Sequence, residues 1–157
     1  MEHRALRAYL EDHLVGSEAG LRAARRLQRR SQGGLRDAAD ELVSHIPAEQ
    51  QILREVMSAA GRRPQPVRIA SHAAGAASSI AIWVRRNLPE PVPSALEDLE
   101  ALIVGVRGKH LLWRTLAQVA AADDTFQRWP FDRLASDALD QERALVGFHD
   151  RSAASML

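Results

Sequence analysis

The stretch SALEDLEALIVGVRGKHLLWRTLAQVAAA, residues 94–122, decides the fold. Leu96, Leu99, Ile103, Val106, His110, Trp113, Ala117 and Ala120 alternate at spacings of three and four. That is the seam of a helix with one continuous buried face. Ser94 and Glu97 stand in the S-x-x-E order of a capping box, which satisfies otherwise unpaired amides at a helix start, and Asp123-Asp124 marks its end.

The same reading extends in both directions. Leu6, Leu10, Leu14, Ser17, Leu21, Ala24 and Gln28 predict a long first helix over 3–30, ended by Gln32-Gly33-Gly34. Leu35, Leu42, Ile46, Leu53, Val56 and Ala60 predict a second from Leu35, stopped by Gly61 and Pro64. Pro47 interrupts it and predicts a kink, because proline removes a helical hydrogen bond and clashes with the preceding turn. A third helix, rich in small residues, is predicted over 67–88, followed by a stiff connector at Pro89, Pro91 and Pro93. The last helix starts near Phe131 with Leu134, Ala138, Gln141, Leu145 and Phe148. Short turns make consecutive helices antiparallel neighbours. Two hairpins joined by a crossover give an all-α, single-domain bundle over 1–157, with a fifth helix as the crossover.

Composition narrows the function. The absence of cysteine removes disulfide frameworks, zinc knuckles, iron–sulfur clusters and thiol catalysis. The first residues lack the apolar run and cleavage site of a signal peptide, and the chain reads as cytoplasmic. Ile69–Val84 is free of Asp, Glu, Lys and Arg but is too short and too polar to span a bilayer, which takes about 20 apolar residues. A net charge of +1 argues against nucleic acid as a partner. Lys109 is the one lysine among 21 basic residues, an arginine bias expected of a GC-rich genome. The cluster Arg22, Arg25, Arg26, Arg29 and Arg30, with Arg36, Arg62 and Arg63, reads either as ordinary complement to a helix C-terminus or as a patch for nucleic acid or an acidic partner. Gly16 with Gly20, and Gly105 with Gly108, read as close helix packing, and Trp83 and Trp129 as interface residues of a homodimer.

Polar residues on or beside the apolar stripes are the candidates for chemistry. With the first turn centred near residue 32, His13 and Glu49 fall about 3 Å apart in height. With the second centred near residue 126, His110 and Glu142 share a level. His45 lies one turn from Glu49. One imidazole or carboxylate from each helix is how a metal is held inside a bundle, so His13, His45, Glu49, His110 and Glu142 are candidate ligands for iron or manganese. The competing reading is two buried hydrogen-bonded pairs that fix helix register. The Glu-x-x-His of a di-iron centre is missing.

Residues 9–14 (YLEDHL), 102–110 (LIVGVRGKH) and 112–114 (LWR) resemble segments of small ferritin-like proteins of actinobacteria, and the resemblance covers nearly the whole chain. It implies a ferritin-like bundle. Such bundles often carry di-iron carboxylate sites that oxidise iron or use O₂, and the incomplete ligand set here sets this chain apart. Three functions follow as expectations: a non-catalytic structural or interaction module that self-associates, a metal-dependent oxidoreductase, or an arginine-patch binder of nucleic acid or an acidic partner.

Overall fold

The computed structural model describes residues 3–61 and 94–154. The predicted helix over 67–88, Ile69–Val84, Arg62, Arg63, Trp83 and the prolines of the connector lie outside them. The described residues form four long helices: α1 His3–Arg30, α2 Gly33–Gly61, α3 Ala95–Ala122 and α4 Phe131–Ala154. A short 3₁₀ turn, Asp124–Phe126, precedes α4. Among them no helix is long and apolar enough to cross a membrane.

The chain turns from α1 to α2 in two residues. Ser31 N–H closes the last turn of α1 on Leu27 at 2.9 Å, and Gly33 then takes φ of 58°, where a side chain would be strained. Pro47 lies inside α2, which continues through it from Gly33 to Gly61. The capping box forms as the sequence predicts: Ser94 Oγ accepts from Glu97 N–H at 3.2 Å, and Glu97 accepts from Ser94 N–H. That bond holds the Glu97 carboxyl below its usual range. At the far end Asp123 donates its backbone N–H to Val119 and accepts from Thr125 N–H, switching α3 into the 3₁₀ turn.

Pairings fix the order. Arg26 on α1 reaches Asp98 on α3, Gln28 on α1 reaches Asp40 on α2, His110 on α3 reaches Ala135 on α4, and Gln141 on α4 reaches His45 on α2. Each helix is therefore antiparallel to both neighbours, and the neighbours run α1, α2, α4, α3 around the bundle. The end of α2 and the start of α3 lie at opposite ends.

The core is divided. One apolar layer, at the end holding Phe126, gathers Leu10, Val56, Leu112, Trp113, Leu116, Trp129 and Phe131. The other, at the end holding the α1–α2 turn, gathers Ala24, Leu27, Leu42, Ile46, Leu99, Leu102 and Leu145. Trp129 belongs to the first: it is 8% exposed, packs on Phe126 and Phe131, and donates its indole N–H to Glu55 at 3.2 Å. It is a core residue, not the interface residue expected. An added Cβ at Gly16, Gly20 or Gly105 would meet no atom within 4 Å, so close packing does not demand those glycines.

Candidate functional site

Between the two apolar layers lies a polar one, to which every helix contributes. Glu49 and Gln50 come from α2, Lys109 and His110 from α3, Gln141 from α4 and Ser17 from α1. Lys109 is its centre. Its ammonium donates to both Glu49 oxygens at 3.0 Å and to Gln141 Oε1 at 2.6 Å. The lysine and glutamate side chains are only 13% and 10% exposed, so the pair is largely desolvated and gains by spending its three donors within the protein. All three are spent there.

The partners are satisfied in turn. With its oxygen committed to Lys109, Gln141 has only its N–H₂ to offer α2, where it donates to His45 Nδ1 at 3.1 Å and Glu41 at 3.4 Å. His45 Nδ1 therefore presents a lone pair. Gln50 donates to Ser17 Oγ at 2.9 Å, and Ser17 donates to the Leu14 carbonyl at 2.7 Å. His110 sets its Nδ1 2.9 Å from the Ala135 carbonyl, which can only accept, so Nδ1 carries the proton.

Five residues are candidate metal ligands on the sequence, and the structure divides them among different partners. Glu49 and His45 share the polar layer through Lys109 and Gln141. Glu142 faces Arg107 at the surface at 3.4 Å, and His110 faces α4. His13 sits edge-on to Tyr9, ring centroids 4.6 Å apart, and burial pushes its imidazole down to about 4. The predicted pairs His13–Glu49 and His110–Glu142 give way to these contacts. The reason in the first hairpin is register. Ser17–Gln50 and Gln28–Asp40 place its mirror near residue 34, which sets His13 about 8 Å from Glu49 along the axis at 1.5 Å per residue. In the second, Glu142 lies on the flank with Arg107 while His110 turns to the Ala135 backbone.

Among the described residues no group of three or more His, Asp or Glu side chains is placed to hold a metal ion. The donor set of the polar layer does not fit a di-iron centre either. Its central group is a cation, and an ammonium has no lone pair to offer a metal or an electrophile.

A second buried charge lies near the α1–α2 turn. Asp98, 1% exposed, accepts from Arg26 at 2.6 and 2.9 Å and from Arg30 at 3.4 Å. Two members of the arginine cluster thus hold α1 against the start of α3. Sequence reasoning missed both Asp98 and Lys109. Each had a signal: Asp98 directly precedes the stripe residue Leu99, and Lys109 is the single lysine of the chain. Comparison with protein-family models, curated proteins and solved structures finds no match to this chain.

Proposed function

We propose that this chain is a ferritin-like bundle acting as a non-catalytic structural or protein-interaction module of the cytoplasm. The helix order supports the ferritin-like reading, because antiparallel hairpins joined by one end-to-end connection are the ordering of that class. The observation that carries the non-catalytic reading is the Lys109 ammonium bound to Glu49 and Gln141 in the middle of the bundle. A carboxylate already paired with an internal cation must give up that pair before it can bind iron or manganese.

Protein purified without chelator or metal-affinity tag, then analysed for metals and assayed with O₂ and peroxide after Fe(II) loading, tests this. Substoichiometric metal and no turnover are expected. Stoichiometric iron or manganese, lost in His13→Ala/Glu49→Gln and accompanied by turnover, would establish the oxidoreductase instead.

A further inference from the structure

We draw no further inference here: the strongest candidate, the cleft between the start of α1 and the end of α2 lined by Arg7, Arg54, Met57, Ser58 and Gly61, is an open groove of mostly exposed side chains in which Arg7 already pairs with Glu11, and nothing in the structure shows what fills it.

Discussion

The layer around Trp113 and the layer around Lys109 are neighbours in one bundle built by different rules. In the first, Trp113, Phe131 and Trp129 stack with ring centroids 6.0–6.1 Å apart and fill space. The Trp113 indole N–H finds no acceptor among the described residues, so the ring is there for its volume. In the second, each donor and acceptor around the ammonium is matched to a named partner. The apolar layer tolerates small shifts in register, because dispersion and burial are nearly indifferent to direction. The polar layer does not, because its hydrogen bonds need their partners within a few tenths of an ångström.

Three changes probe that contrast. The largest effect belongs to the apolar layer: Trp113→Ala removes a fully buried ring and should cost about 3–5 kcal/mol by denaturant unfolding. A cost below about 1 kcal/mol would mean that this layer is not closely packed. Next is Lys109→Met, which strands the Glu49 carboxylate and should cost about 3 kcal/mol, the low end for a broken buried pair because both side chains keep some exposure. Lys109→Met/Glu49→Leu removes the stranded charge as well and should recover most of that loss. If the double variant is as unstable as the single one, the layer holds the fold by more than charge balance.

The smallest effect is at His13. Burial depresses its imidazole from 6.5 to about 4, so between those values the unfolded chain binds a proton that the folded chain refuses. Stability then falls as pH drops through 6.5 toward 4, by about 1–2 kcal/mol after discounting for partial exposure. In His13→Gln the slope of unfolding free energy against pH should flatten over that window. His149 works in the opposite direction, since Glu100 and Asp150 raise its imidazole and its stabilisation is lost as pH rises. An unchanged slope in His13→Gln would place the titration elsewhere.

Much of this fold was legible in the sequence, and the reasons are local. Ser94 with Glu97, the break near Gln32-Gly33-Gly34 and the Leu-rich stripes each act within one or two helical turns, which sequence spacing resolves directly, although α2 takes in both glycines. The polar layer was half legible. Glu49, His110 and Gln141 announced themselves as polar residues on apolar stripes, but the partners they choose depend on a hairpin register that spacing fixes only to within one turn. That uncertainty decided whether Glu49 met His13 or lay well away from it. Lys109 was hidden by context. In a chain where arginine replaces lysine almost everywhere, a lone lysine reads as chance, although a compact ammonium fits between Glu49 and Gln141 where a planar guanidinium has a different shape and reach. Trp129 was misplaced because aromatic residues near a turn serve an interface and a core end equally well.

The Lys109–Glu49 contact joins residues 60 positions apart, while the α1–α2 turn is only two residues long. Each hairpin is therefore assembled from near neighbours along the chain, and the ion pair belongs to the docking of one finished half onto the other. Sliding one half by a helical repeat of about 5.4 Å would leave apolar side chains facing apolar side chains, a nearly degenerate arrangement. The same slip leaves an ammonium and a carboxylate each facing hydrocarbon. The lysine, together with the Arg26–Asp98 pair that also crosses between the halves, thus converts a shallow ladder of possible alignments into one deep minimum, and the worth of both lies in wrong dockings rejected more than in stability added.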